Sequence, residues 1–173
     1  QQQTVDGYGS GMDPVSNTVI DDGGASANGV TVGAGLNASD RNVLKDVYVT
    51  GFTSSGIVAG SFATLDDVFS TGNTNYGLNV SSGTDLQVLN SSFNGNNVGI
   101  KFSQGTDLDG LNIDNSHFDN NNQHGWFDNV SSASPNRIRN VVITNSTFNG
   151  NPGKGIYTEK MDEATLDGIT VDN

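Results

Sequence analysis

The chain has 173 residues, enough for one domain with a core, and 33% of them are hydrophobic. Asp and Glu outnumber Lys and Arg by 19 to 7, a net charge of −12, and no Lys or Arg lies between Lys45 and Lys101. Such a surface repels nucleic acid and anionic membrane, so neither is expected as a partner. The absence of cysteine excludes disulfides and thiolate metal sites, and no apolar run approaches the roughly 20 residues of a membrane helix.

Residues 1–17 are polar, glycine-rich and aperiodic, and they read as an N-terminal cap or linker. The chain opens on Gln1-Gln2-Gln3 without an initiator Met, which reads as a processed or excised piece. From Thr18 short apolar alternations begin, and the stretch 18–173 reads as one domain. An aliphatic residue is followed three positions later by a second and two later by a third: Leu44/Val47/Val49, Leu108/Leu111/Ile113, Ile138/Val141/Ile143 and Leu166/Ile169/Val171. A near-constant heptamer starts at Asn90, Asn115 and Asn145, each time Asn-Ser-x-Phe followed by Asn, Asp or Gly residues. Short strands led by Gly56, Gly77, Gly99, Gly125 and Gly155 complete each unit.

Every segment is short and β-like, with period-two alternation and Gly/Asn/Asp boundaries. Recurrence of such a unit predicts a solenoid, one coil of parallel β-helix per repeat. Six or seven coils at about 4.8 Å each make a rod roughly 30 Å long. In this geometry Phe93, Phe118 and Phe148 point inward and stack from coil to coil. Asn96, Asn121 and Asn151, each three residues after its Phe, form an amide ladder at one corner, where Asn tolerates left-handed backbone and satisfies turn amides. The segments 128–137 and 149–154 bulge from the rod as insertions. The final segment, from Leu166, stops partway through a coil; the end is read as open, to further coils of a longer chain or to end-to-end association of subunits.

The repeat Leu-x-x-Val-x-Ile-x-Asn-Ser-x-Phe-x-x-Asn-x-x-x-Gly-Ile resembles the repeats of pectate lyase-like and mannuronan epimerase-like parallel β-helix proteins, over about residues 18–173. The resemblance implies an all-β, right-handed parallel β-helix. Asn122-Gln123-His124-Gly125-Trp126 is similar to an epimerase coil near the active site, with Gln123 standing where that coil has Arg. In such proteins the residues pointing out of the Gly-led strands line the groove. Here the second positions after each Gly are Val58, Asn79, Lys101, Phe127 and Tyr157, and the fourth are Gly60, Ser81, Ser103, Asn129 and Glu159.

Lyase or epimerase chemistry needs a base at the sugar C5, a group to neutralise the carboxylate, and a proton donor. This face shows one Lys, one Tyr and one Glu, without an Asp or His pair, so no catalytic residue is assigned. Lys101, His124 and Tyr157 are the candidates if the chain is an enzyme. Lys101, Phe127 and Tyr157, with Asn129 beside them, instead offer a cation, ring faces and an amide for stacking on an acidic sugar chain. No His/Asp/Glu cluster has metal-ligand spacing and no cofactor is implied. The Asp-rich turns (Asp21-Asp22, Asp66-Asp67, Asp107 with Asp109) carry the carboxylates a Ca²⁺ ion would use. The expectation is a non-catalytic module of a secreted or cell-surface protein, a stalk, adhesive or filament unit in contact with polysaccharide. The alternatives are a lyase or epimerase module acting on an acidic glycan, and a glycan-binding module.

Overall fold

The computed structural model describes residues 3–6, 18–21, 23–24, 27–33, 37–130 and 135–172. Fourteen strands follow one another: β1 (Gln3–Asp6), β2 (Thr18–Asp21), β3 (Asn28–Val32), β4 (Asn42–Thr50), β5 (Ser55–Ala59), β6 (Ala63–Thr71), β7 (Tyr76–Val80), β8 (Gly83–Leu89), β9 (Val98–Phe102), β10 (Leu108–Asp114), β11 (His124–Asp128), β12 (Ile138–Thr144), β13 (Lys154–Tyr157) and β14 (Met161–Asp167). A 3-10 turn at Ala38–Asp40 is the one helical element among the described residues. No helix among them is long and apolar enough to cross a membrane.

The strands alternate between two parallel sheets. The first runs β1-β4-β6-β8-β10-β12-β14, with β2 also paired to β4; the second runs β13-β11-β9-β7-β5-β3. Isolated parallel bridges join Phe69, Ser92, His117, Thr147 and Thr170 in a third column. The chain is thus a parallel β-solenoid of about six turns, as the repeat spacing predicts. Of the segment 1–17, Gln3–Asp6 forms β1 and pairs with Asn42–Lys45 of β4, while residues 1–2 and 7–17 lie outside the described residues.

The corners explain the three-then-two spacing of the aliphatic residues. A left-handed residue inserted in a strand shifts the parity of alternation, so the residues on either side of a corner both face inward. Gly110 (φ 85), two residues after Leu108, lets Leu108 and Leu111 both enter the core; Asn140 (φ 53) does the same for Ile138 and Val141. Phe62, Asp85, Gly110, Asn140 and Glu163 form one such corner column. Asp67, Asn90, Asn115, Asn145 and Gly168 form a second, with φ from 48 to 61. Gly72, Gly95, Asn120 and Gly150 form a third. Asn, Asp and Gly dominate because they accept this conformation at low cost.

Two corners share one local pattern, and this corrects part of the sequence reading. The register pairs Leu108 with Ile138 and Met161, Leu111 with Val141 and Ala164, and Ile113 with Ile143 and Leu166. The last member of that series is therefore Met161/Ala164/Leu166. Leu166/Ile169/Val171 spans the following corner instead, in phase with Leu44/Val47/Val49. Leu166 and Val171 are exposed, whereas the first three triplets are buried.

Inside, each column keeps its residue type. Phe93 and Phe118 stack with ring centroids 5.2 Å apart and planes 10° from parallel; Phe118 and Phe148 follow at 5.0 Å and 7°. The asparagine ladder lies beside them. Asn96 N donates to Asn121 Oδ1 at 3.0 Å, and Asn121 N donates to Asn151 Oδ1 at 2.9 Å. A fourth rung, Asn73, donates from its backbone N to Asn96 Oδ1 at 3.0 Å and accepts from Phe52 N at 3.1 Å. The heptamer does not reveal Asn73, because Ser70 fills the Phe slot of that coil. A serine ladder runs in parallel: Val68 N donates to Ser91 Oγ, Ser91 N to Ser116 Oγ and Ser116 N to Ser146 Oγ, each at 3.1 Å. Buried backbone amides are thus paired by side chains of the next coil.

The leading glycines follow from the same ladder. A Cβ on Gly77, Gly99 or Gly125 would stand 2.6–2.9 Å from the amide nitrogen of Asn96, Asn121 or Asn151. The amide side chain occupies the space, and glycine is the residue that leaves it free.

Candidate site on the outer face of the second sheet

The register of the second sheet brings Val58, Asn79, Lys101, Phe127 and Tyr157 into one outward column. The residue preceding each of them turns into the core: Trp126 is fully buried, with its ring centroid 4.3 Å from that of Phe102. Lys101 is 6% exposed. Its Nζ lies 3.9 Å from the centroid of the Phe127 ring, a cation–π contact, and it has no ion pair among the described residues. Burial pulls its pKa below the ordinary lysine value, against the pull of Asp128 and Glu159.

The rings form a continuous surface. His124 stacks on Phe127 at 4.7 Å and 9°, Phe127 meets Tyr157 at 5.2 Å and 43°, and His124 lies 6.0 Å from Tyr157. All three are half-buried. His124 has its pKa lowered, chiefly by burial, which favours the neutral imidazole at pH 7. The segment 149–154 does not bulge as an insertion but stacks in register on 119–124, and Gly153 permits its close approach, because a Cβ there would stand 2.8 Å from the imidazole ring. Tyr157 Oη donates to Glu159 Oε1 at 2.8 Å, and this bond raises the phenol pKa. Lys154 is paired in register with His124, Asn129 and Glu159 each follow a ring residue by two positions, and all three are exposed.

One residue central to this arrangement has no part in the sequence reading. Asp128 is fully buried, in register with Phe102 and at a position that is Ala59 or Val80 in earlier coils. Its Oδ1 accepts from Val130 N at 2.9 Å. Its Oδ2 accepts from Thr158 Oγ1 at 2.8 Å, Glu159 N at 3.2 Å and Lys160 N at 3.0 Å. The carboxylate therefore ties the end of β11 to the turn after β13 and fixes the placement of Glu159. The signal was a lone acid in a column of inward apolar residues.

The second histidine and the Asp-rich turns lie elsewhere. His117 is on the bridge column, where its Nδ1 meets Thr147 Oγ1 at 2.8 Å and Thr147 in turn donates to Asp119 Oδ2 at 2.6 Å. The Asp-rich turns are occupied internally: Asp66 pairs with Lys45 at 3.0 Å, and Arg139 reaches Asp107 at 3.0 Å and Asp109 at 3.8 Å. Among the described residues no three His, Asp or Glu side chains converge as metal ligands would; Asp22 lies outside them. Residues 131–134 of the 128–137 insertion also lie outside the described residues. Comparison with protein-family models, with curated proteins and with solved structures gives no match.

Proposed function

We propose that the chain is a non-catalytic β-solenoid module of a secreted or cell-surface protein that holds polysaccharide on the outer face of its second sheet. The observation that carries this reading is the half-exposed ring surface His124, Phe127 and Tyr157, laid across successive rungs and flanked in register or sequence by Asn129, Lys154 and Glu159. Sugar rings present C–H faces that stack on aromatic rings and hydroxyls that bond to flanking polar groups. The repeat's resemblance to pectate lyase-like and epimerase-like solenoids supports the same class of ligand.

A second reading, a lyase or epimerase module, draws on one observation, the burial-lowered pKa of Lys101, which would suit a base. Its Nζ faces the Phe127 ring rather than open solvent, which favours the binding reading. The two separate in one experiment. The purified chain is incubated with a panel of neutral and acidic polysaccharides, and retention is measured alongside absorbance of unsaturated uronate. Retention without turnover is expected. Turnover abolished by Lys101→Ala would replace the binding reading with the enzymatic one.

A further inference from the structure

Resting on the reading just given, we propose that the glycan held by this face is neutral, not a uronate polymer. The cation in the outward column itself is Lys101, and it is out of reach of a sugar carboxylate. At 6% exposure, with its Nζ 3.9 Å from the Phe127 ring centroid, it supports the aromatic surface from within. His124, the other basic group among the rings, is favoured in its neutral form by burial.

What a ligand meets is balanced in charge. The β13 rung carries exposed Lys154 before Tyr157 and exposed Glu159 after it. Glu159 is held in place at both ends, by Tyr157 Oη on its carboxylate and by Asp128 on its backbone N. A uronate chain brings a negative charge with every sugar to a chain of net charge −12 and sets one of them against Glu159. A neutral chain meets no such repulsion. Its C–H faces lie on Phe127 and Tyr157, its hydroxyls donate to Glu159 and Asn129, and they accept from Lys154.

The test is titration calorimetry of the whole chain with matched hexasaccharides, one series neutral (gluco-, xylo- and manno-configured) and one of oligouronates, at low and high salt. A neutral ligand is expected to bind with an affinity that salt leaves within about twofold, since no counterion is released. Tyr157→Ala should weaken it about tenfold, the loss of roughly 1.4 kcal/mol of ring contact. Phe127→Ala should do at least the same, but it also uncovers Lys101, so Tyr157→Ala is the deciding variant and thermal melting checks that each variant is folded. His117→Ala, on the bridge column, should change nothing. Tighter uronate binding that weakens with salt would overturn the inference and leave the polysaccharide reading standing. Neutral binding untouched by Tyr157→Ala would remove the site. Binding of neither series would overturn the polysaccharide reading itself.

Discussion

The inner corner of the solenoid and the outer face of its second sheet are built on the same backbone and the same register, yet they behave oppositely along the axis. At the corner the residue type persists: Asn73, Asn96, Asn121, Asn151 in one column and Phe93, Phe118, Phe148 in the next. On the outer face it changes at every rung, from Val58 through Asn79, Lys101 and Phe127 to Tyr157. A buried amide must be answered by the next coil, so each inner residue dictates its successor. An outward side chain answers to solvent or ligand, so the coils are free to differ. Repetition marks what the architecture requires, and departure from repetition marks where function can be written.

Substitutions measure how far that contrast holds. The largest effect is expected inside: Phe118→Ala removes the middle ring of the stack and should cost about 3–5 kcal/mol in denaturant unfolding. A loss below about 1 kcal/mol would mean that the column is not a core. Asn121→Ala leaves the Asn96 backbone N unpaired in the interior and should cost about 1–3 kcal/mol. A change at an exposed corner residue should have a far smaller effect. Glu163 is exposed yet sits at φ 54 in a corner column whose three preceding members are Asp85, Gly110 and Asn140. Glu163→Asn should raise stability by about 0.5–1 kcal/mol, read as a higher melting temperature.

The smallest shift concerns Lys101 and is best read against pH. Burial lowers its pKa in the folded state below the ordinary 10.5, so the unfolded chain holds the proton more tightly. Its contribution to stability therefore grows as pH rises through the window just below 10.5. Lys45 and Tyr157, both with raised pKa values, act in the opposite sense at alkaline pH, so the wild type alone is ambiguous. The difference between wild type and Lys101→Met isolates the term. Lys101→Met should be at least as stable as wild type near neutrality, and its advantage should shrink toward pH 10. An advantage that grew with pH would contradict the buried, desolvated ammonium.

What the sequence disclosed follows the same division. The Phe and Asn columns were legible because identical residues recur at the coil spacing. Asn73 was hidden because Ser70 takes the Phe slot, its Oγ donating to Gly77 O at 2.8 Å. The serine ladder was in view in each Asn-Ser pair but carried no mark of burial. On the outer face, alternation gives the register of the column but not its depth. Which side a residue faces is set by its own strand, whereas how far Lys101 is covered is set by Phe127 one coil away. Asp128 was passed over for the converse reason: its inward position was readable, but its four donors come from Val130 and from the turn 30 residues on.

The shared pattern at two different corners bears on how the chain finds its frame. A nascent coil that reads only aliphatic spacing has two equivalent ways to wrap, one segment out of step with the other. The Phe after the second corner breaks the tie, because only one wrapping sets it beneath the Phe of its neighbour. That mark is present in the three coils carrying Phe93, Phe118 and Phe148, whereas Ser70 holds the slot in the coil before them and Val171 in the coil after. Assembly is then expected to nucleate in those three coils and spread outward to both ends.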